Sequence, residues 1–178
     1  MKRFVTLWNL LGLAVLALGL AVYLYTDRRQ GGAVLNLPET LEEARTPRTL
    51  QLRLYFGKPD GTGFVVERRQ VRLEPGENPY ERALAELVRG PAQGGTPLVP
   101  AGMDPPAVFV AGDTAYVDLP AAYGRLGYGS AGEVLLLFGM ANTLLEFEEI
   151  GAVKFLLEGR EVPTLGHVSL VDPIRKTR

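Results

Sequence analysis

Side chains able to do chemistry are scarce in this sequence of 178 residues. It has no cysteine and a single histidine, His167, which excludes a thiolate nucleophile, a disulfide framework and a cysteine-bound metal. One histidine among scattered acids is more typical of a packed or exposed imidazole than of a general base. Asp118 and Glu146 form the only carboxylate pair that could be nominated for hydrolysis of a cell-wall glycan. We therefore expect no enzyme activity, no cofactor and no metal.

Three glutamates cluster where a long helix is predicted to end, at Glu146, Glu148 and Glu149. The helix dipole disfavours negative charge at a helix C-terminus, so a cation or an arginine of a partner protein would stabilise the cluster. The alternative is an ordinary solvated helix end. No calcium-binding loop accompanies the cluster.

The basic cluster of the predicted domain consists of Arg68, Arg69 and Arg72. The formal net charge of the chain is -1, and the part from Thr49 onward is acidic. Surfaces that bind nucleic acid are strongly basic. The arginines are therefore predicted to form cross-strand ion pairs, and no nucleic-acid partner is expected.

Other segments offer binding surfaces rather than reacting groups. The glycine-rich segment, residues 124–132, lacks the lysine of a phosphate-binding loop and predicts a flexible lead-in to the next helix. The apolar stretch over residues 98–103, with Ala107, could form a surface patch for a partner protein. Three tyrosines predicted to be exposed could stack on the sugar rings of an envelope glycan: Tyr116, Tyr123 and Tyr128.

The start of the chain has the pattern of a membrane anchor. Residues 4–26 carry no charge, and about 22 residues of helix reach about 33 Å, enough to cross a hydrocarbon core of about 30 Å. The apolar run ends in Tyr23 and Tyr25 rather than in a cleavage site of small residues. We predict an uncleaved single-pass transmembrane anchor over residues 1–27 and a linker over 28–48, with the remaining chain on the outer side of the cytoplasmic membrane.

The rest of the sequence predicts one domain over residues 49–174 and a short basic tail over 175–178. Two hairpins are predicted from alternating apolar residues, one before and one after a helix. This helix starts at Asn78 and Pro79, which form an N-cap followed by proline at the first helical position, and it stops at Gly90.

Further local patterns complete the predicted order of elements. A change in apolar parity predicts a bulge near Arg68 and Arg69. Ser130 and Glu133 have the spacing of a capping box that opens a second helix, which runs to about Phe147. The order ββαββαβ predicts an α+β fold. We expect a two-layer sandwich with one mixed or antiparallel sheet of about five strands and two helices on one face, preceded by the transmembrane helix.

Several motifs together resemble the GerMN domain family, which takes its name from a sporulation and spore germination protein. The most specific are Gly90-Pro91 after the first helix and Asn142-Thr143-Leu144-x-Glu146-Phe147 in the second. The others are Leu54-Tyr55-Phe56, Val65 to Arg69, Leu98-x-Pro100-x-Gly102 and Ala115-Tyr116-Val117-Asp118-Leu119. The resemblance covers residues 49–173 and implies a non-enzymatic α/β module on the outer side of the cytoplasmic membrane, present here as a single copy.

The residues and the resemblance together select a set of candidate structural or interaction residues: Gly90, Pro91, Asp118, Asn142, Thr143, Glu146 and Phe147. Polar side chains in an apolar helix usually bond to the backbone of a neighbouring segment. Asn142 and Thr143 are therefore predicted to hold the Gly90-Pro91 turn or the glycine-rich segment.

The function expected from these observations is that of a membrane-tethered scaffold or adaptor in the cell envelope. Its partners would be the membrane, through residues 4–26, and an envelope protein or a second copy of the chain. The alternative is a module that binds peptidoglycan or another envelope glycan.

Overall fold

The structure is a computed structural model that describes Leu16, Leu18 and residues 46–176. The chain separates into two units, residues 1–36 and residues 37–178. Within the described residues no helix is long and apolar enough to cross a membrane. Leu16 and Leu18 are helical and exposed. The rest of the predicted anchor and most of the predicted linker lie outside the described residues.

The described part of the second unit contains six strands and two helices, and their order confirms the predicted ββαββαβ pattern with one short strand added. The elements are β1 (Arg48–Gly57), β2 (Phe64–Leu73), α1 (Pro79–Arg89), β3 (Ala107–Ala111), β4 (Thr114–Leu119), α2 (Ser130–Leu144), β5 (Ala152–Leu157) and β6 (Ile174–Arg175). A 3-10 turn at Tyr123–Arg125 precedes α2.

The strands form two sheets, so the prediction of a single sheet of about five strands is wrong. Strands β1 and β2 pair as an isolated antiparallel hairpin, and the other four strands form a mixed sheet in the order β3-β4-β5-β6, with β4 and β5 parallel. Among the described residues, no strand pairs with the free edge of β1, so the hairpin forms a sheet of its own. Gly57 exchanges backbone hydrogen bonds with Thr96, and the Tyr55 N–H bonds to a side chain of α2.

The hairpin contains no bulge, which corrects the prediction for Arg68 and Arg69. Its register is unbroken from the pair Arg48 and Leu73 to the pair Gly57 and Phe64. The apparent change of parity arises because charged side chains, Glu67 and Arg69, occupy positions on the inner face of the hairpin. Residues of alternate parity share one face of a strand, and residues 65, 67, 69, 71 and 73 therefore face inward together.

Helix α1 has the predicted ends. The Asn78 side chain accepts hydrogen bonds from the N–H groups of Tyr80 and Glu81, at 3.0 and 3.4 Å, which satisfies donors that the first helical turn leaves free. At the other end Gly90 has φ 99°, a conformation that favours glycine.

Helix α2 begins differently from the prediction, and the capping box is wrong. Its N-cap is Gly129, with no side-chain capping bond. The Glu133 side chain is only 3% exposed and instead accepts hydrogen bonds from the backbone N–H groups of His167 and Val168, at 2.7 and 3.2 Å. The helix ends at Leu144 rather than near Phe147.

One hydrophobic core joins both sheets and both helices. Helix α2 is central to it, because its inner face lies against β1 and it forms the crossover between the parallel strands β4 and β5. Large side chains that are fully buried come from every layer: Leu54, Phe56, Leu84, Leu119, Leu137, Met140 and Phe155.

Candidate functional site

Helix α2 crosses the free edge of β1 at Gly139 and Thr143, which lie one helical turn apart. The Thr143 hydroxyl accepts a hydrogen bond from the Tyr55 N–H at 3.2 Å and donates one to the Gly139 carbonyl at 2.8 Å. A Cβ at Gly139 would overlap the Leu98 side chain and lie 2.9 Å from the Tyr55 carbonyl oxygen, so the close approach needs glycine. Thr143 does bond a neighbouring backbone, but that backbone belongs to β1 rather than to either loop expected from the sequence.

Glu146, two residues beyond α2, is held at the outer face of β1. Its Oε2 lies 3.1 Å from Nη1 of Arg53, and its Oε1 accepts a hydrogen bond from the Tyr55 hydroxyl. Burial, followed by the hydrogen bond to the Glu146 carboxylate, raises the pKa of the Tyr55 phenol above its usual 10.0, which keeps the hydroxyl a donor at neutral pH. Glu146 therefore has an arginine partner, as its position suggested, and that arginine is in the same chain.

The turn after α2 is fastened to α1 by Phe147 and Glu149. The rings of Phe147 and Tyr80 meet edge to face, with 4.9 Å between centroids, and the Tyr80 hydroxyl donates to Oε1 of Glu149 at 2.7 Å. Burial and then the Glu149 carboxylate raise the pKa of Tyr80 to about 12. Glu148, between them, is exposed and has no hydrogen-bond or ion-pair partner within residues 46–176.

These contacts leave a groove beside the free edge of β1, which we call the edge groove. It has a volume of about 210 Å³ and is lined by residues 50–53, Thr143 and residues 146–149. One wall is a strand edge and the other carries three carboxylates. Such a groove suits the binding of an extended chain or a cationic side chain. Among the described residues, no three carboxylate or imidazole side chains come together as ligands for a metal ion.

Asp118 and Asn142 do not line the edge groove. Oδ1 of Asp118 accepts a hydrogen bond from the Gly159 N–H at 2.7 Å, which fixes the turn after β5. Asn142 is half-buried on α2, and within residues 46–176 its side chain forms no hydrogen bond to either predicted loop. Asp118 and Glu146 bond to different elements, so the structure does not join them as a pair.

The Gly90-Pro91 turn is held by Arg69. The guanidinium of Arg69 donates to the carbonyls of Gly90 and Glu86, both at 3.0 Å, and pairs with the carboxylates of Glu67 and Glu86. Glu67 also accepts a hydrogen bond from the Ala92 N–H at 2.8 Å. Cross-strand pairing of this arginine is therefore wrong, because Arg69 points inward and its partners lie on its own strand and on α1.

Glu86 is the residue of this network that the sequence analysis missed. It is 1% exposed, and its carboxylate lies 2.9 Å from Arg69, 2.9 Å from Arg89 and 3.1 Å from Arg82. A signal was available, because Arg82 and Arg89 stand four residues before and three after Glu86, the spacings at which helical side chains meet. Arg72, on the outer face of the same strand, forms an exposed ion pair instead, with Glu74 at 3.1 Å.

His167 borders a cavity of about 180 Å³ that is also lined by the glycine-rich segment. Its Nδ1 lies 3.2 Å from Oε2 of Glu133. Both carboxylate oxygens of Glu133 already accept backbone hydrogen bonds from residues 167 and 168. The arrangement fastens this loop to the start of α2, and the imidazole itself is half exposed.

The three tyrosines proposed as sugar platforms lie in different environments. Tyr123 is 2% exposed and donates to the Asp104 carbonyl at 3.0 Å, while Tyr128 donates to the Leu98 carbonyl at 3.1 Å. Tyr123 therefore has no accessible ring face. Tyr116 is half-buried and stacks in parallel on an exposed ring of the adjacent strand, that of Phe109, with 5.1 Å between centroids.

Solved structures similar to this chain include GerMN domains of the sporulation protein GerM from Bacillus subtilis. The tandem pair of these domains is 22% identical, with a TM-score of 0.57 over 71% of this chain and 46% of that one. The first domain alone is 22% identical, with a TM-score of 0.51 over 71% of this chain and 98% of that one. A candidate lipoprotein from Clostridium perfringens is 19% identical, with a TM-score of 0.49 over 79% of this chain and 93% of that one.

The similarity to the two GerM structures establishes the fold, and this chain spans about half the length of the tandem pair. No curated protein matches the sequence. The model of the Germane family, described as sporulation and spore germination, matches residues 53–163. That match covers more than half of the chain and includes the Arg69 network, most of the residues that line the edge groove and nearly all the strands and helices of the described domain. The chain therefore belongs to the Germane family, the family of the GerMN domains.

Proposed function

We propose that the protein is a membrane-tethered module on the outer side of the cytoplasmic membrane that acts as a non-enzymatic scaffold or adaptor for another envelope protein. Three features support this proposal. Residues 4–26 have the length and composition of a membrane anchor, the domain belongs to the Germane family, and the edge groove offers a binding surface.

The observation that carries the proposal is that two carboxylates of the edge groove are already bonded to side chains of the same chain. Glu146 is occupied by Arg53 and Tyr55, and Glu149 by Tyr80. General acid-base catalysis needs a donor and an acceptor aimed at the same reacting atoms. The other nominated carboxylate, Asp118, is bonded to the turn after β5. A groove in which two of the three carboxylates are held in this way, beside an accessible strand edge, supports recognition.

The adaptor proposal is tested by crosslinking in living cells. The full-length tagged chain is crosslinked, purified and analysed by mass spectrometry, and a tagged chain of residues 1–45 controls for proximity at the membrane. We expect one envelope protein to be enriched with the full chain over the control. Recovery of wall fragments alone, or of this chain alone, would contradict the adaptor function.

The location of the domain is tested separately by labelling a single introduced cysteine. The natural chain has no cysteine, so Asp172→Cys, at an exposed position, creates a single reactive thiol. We expect a maleimide that cannot cross membranes to label this variant in intact cells or spheroplasts. Labelling only after the membrane is permeabilised would place the domain in the cytoplasm and overturn this part of the proposal.

A glycan-binding module is the second candidate function, and the stacked pair of Phe109 and Tyr116 favours it. Phe109 is 52% exposed, and exposed aromatic faces are used to bind sugar rings. If this function holds, the full-length protein sediments with insoluble cell wall and Phe109→Ala reduces the bound fraction. Val171→Ala is the matched control, because Val171 is an equally exposed apolar residue, at 60%. Equal binding by the two variants would exclude the aromatic pair as the glycan site.

A further inference from the structure

We propose that the edge groove binds an extended segment of the partner protein as an additional strand beside β1, and that this segment carries lysine or arginine side chains. The inference rests on the proposed adaptor function and names the binding mode and the partner chemistry. Four observations carry it. Backbone groups on β1 lack hydrogen-bond partners among the described residues, whereas the start of α1 covers the similar edge of β3. A groove runs alongside β1, and this groove is acidic.

The backbone groups that point away from the hairpin are fixed by its register. Lys58 donates to the Gly63 carbonyl at 2.9 Å, so these two residues form a hydrogen-bonded pair. In an antiparallel hairpin such pairs alternate with pairs that exchange no hydrogen bonds. The next pair, Gly57 and Phe64, is therefore of the second kind, and so is every second pair after it. The N–H and C=O groups of every second residue from Gly57 back to Thr49 therefore point to the free edge. Gly57 bonds to Thr96 there, which confirms this direction.

The outer half of this edge, residues 49–53, has no backbone partner between residues 46 and 176. The edge groups of Tyr55 are met by α2, but those of Thr49, Gln51 and Arg53 form no hydrogen bond with other described residues. All three residues are exposed. An open strand edge is a template for pairing with another chain, and three outward residues match a segment of about five residues, roughly 17 Å long.

The same protein covers a comparable edge elsewhere, on strand β3. The Val108 carbonyl accepts a hydrogen bond from Nδ2 of Asn78 at 2.7 Å, and the Val108 N–H donates to Oε1 of Glu81 at 3.1 Å. The start of α1 therefore occupies this edge, where a partner strand would otherwise pair. Because no described residue covers the edge of β1 over residues 49–53 in this way, that edge is the better candidate for an added strand.

The charge of the edge groove selects a basic segment. Three carboxylates line it, those of Glu146, Glu148 and Glu149, against the single guanidinium of Arg53. They follow the C-terminus of α2, where the helix dipole adds negative potential. Glu148 has no partner within the described residues. A lysine or arginine on the added strand would pair with it, whereas an acidic segment would be repelled.

A pair of proline variants tests the strand pairing. Gln51 and Gln70 are directly opposite in the hairpin, and their N–H groups point to opposite edges. Proline at either position removes an outward N–H and no hydrogen bond between β1 and β2. Gln51→Pro blocks the proposed edge, and Gln70→Pro is the control with the same change on the other edge.

The binding measurement uses the full-length protein in detergent micelles and a fluorescent eight-residue peptide of alternating valine and arginine. We expect Gln51→Pro to weaken binding at least about tenfold and Gln70→Pro to weaken it less than about twofold. Slower amide exchange at Gln51 and Arg53 in the wild-type protein with peptide is expected as well, and it does not depend on how the variants fold. Absence of peptide binding, or equal losses in both variants, overturns the inference.

The charge preference is tested with Glu148→Lys, and Asp172→Lys, also at an exposed position, serves as the control for net charge. We expect Glu148→Lys to weaken binding of the arginine peptide about fivefold or more and the control to change it little. The same peptide with glutamate in place of arginine should not bind the wild-type protein. Equal binding of the two peptides would remove the basic character from the proposal.

Crosslinking in cells then separates this inference from the adaptor function on which it rests. If Gln51→Pro loses the partner captured by the wild type and Gln70→Pro retains it, the adaptor function and the edge inference are both supported. If Gln51→Pro retains the partner, the adaptor function stands and the edge inference fails. If the wild type captures no partner but the peptide results hold, the adaptor function fails alone. Sedimentation of a wild-type dimer that Gln51→Pro converts to monomer would identify the occupant as a second copy and overturn the basic-segment proposal.

Discussion

The two sheets of this domain contribute to one core, but they differ in how their outer surfaces are covered. The four-stranded sheet has its β3 edge bound by the start of α1. The segment after β5 returns against it, because Nζ of the nearly buried Lys154 donates to the carbonyls of Leu170 and Val171. In the hairpin, no residue in the described part of the chain covers residues 49–53 of β1 in this way. On the outer face of the hairpin, Arg53 lies directly opposite Arg68.

The two sheets also differ in how they are attached to the core. Every residue of β5 except Leu157 is buried, so hydrophobic burial holds the four-stranded sheet at its centre. The inner face of the hairpin includes Glu67 and Arg69, whose burial is compensated by ion pairs with α1. The comparison indicates that the hairpin depends on a few specific contacts and is the part of the domain that can accept an additional strand.

The largest effect is expected where α2 meets the hairpin. Gly139→Ala places a methyl group against Leu98 and the Tyr55 carbonyl and should lower the free energy of unfolding by about 3 kcal/mol. Urea denaturation followed by circular dichroism measures this loss. Gly129→Ala is the control, because an added Cβ there meets nothing within 4 Å. Hydrogen exchange should accelerate in the hairpin before the four-stranded sheet, and the opposite order would contradict the comparison.

Removing the arginine inside the hairpin should have the next largest effect. Arg69→Leu leaves the buried Glu86 and the Gly90 carbonyl without this donor and should cost about 2 kcal/mol of the free energy of unfolding. Arg68→Leu is a matched control at the adjacent, outward-facing position and should change stability by less than about 0.5 kcal/mol. Similar losses for both variants would show that the inner ion pairs do not anchor the hairpin.

The cover of the four-stranded sheet can be weakened through its lysine. Lys154→Met keeps the apolar stem and removes the donor to the carbonyls of Leu170 and Val171, so we expect a loss of about 1.5 kcal/mol. Hydrogen exchange should accelerate in residues 161–173 and not in the hairpin. Lys176→Met, at an exposed position, provides the control. Acceleration throughout the domain would mean that the two sheets do not respond separately.

The smallest effect expected is a loss of hairpin stability in acid. Burial by itself would raise the pKa of Glu67, but hydrogen bonds from Arg69 and the Ala92 N–H, with the charge of Arg69, hold it below 4.5. Because the pKa is lower in the folded state, this stabilisation is fully present above about pH 4.5 and is lost as the pH falls through the folded pKa.

Glu67→Gln should therefore cost about 1 kcal/mol at pH 7, and its difference from the wild type should shrink below about pH 4. Glu74→Gln, whose carboxylate forms an exposed pair with Arg72, should have little effect at either pH. A Glu67→Gln difference that stays constant from pH 7 to pH 3 would remove Glu67 from the acid-sensitive contacts.

The local elements could be predicted from the sequence because their signals are local. Asn78-Pro79 and Gly90 set the ends of α1, and β3 and β4 form the second predicted hairpin. Local signals did not predict the role of Glu133 correctly. Its carboxylate accepts hydrogen bonds from residues 167 and 168, more than thirty positions away, instead of capping α2. The same limit applies to the inward-facing charges of β2, whose main partner lies on α1.

The sequence by itself determined the order of strands and helices, the ends of α1, the scarcity of reacting groups and the resemblance to the GerMN domain. Each depends on residue type and short spacing, which periodicity and capping rules describe. Only the tertiary structure decided that the strands form two sheets, that Arg53 and Tyr55 hold Glu146, and that residues 49–53 keep an edge that no other described residue pairs with. The physical reason is that these features depend on contacts between segments far apart in the chain, where packing and hydrogen bonding select one partner among many that the local sequence allows.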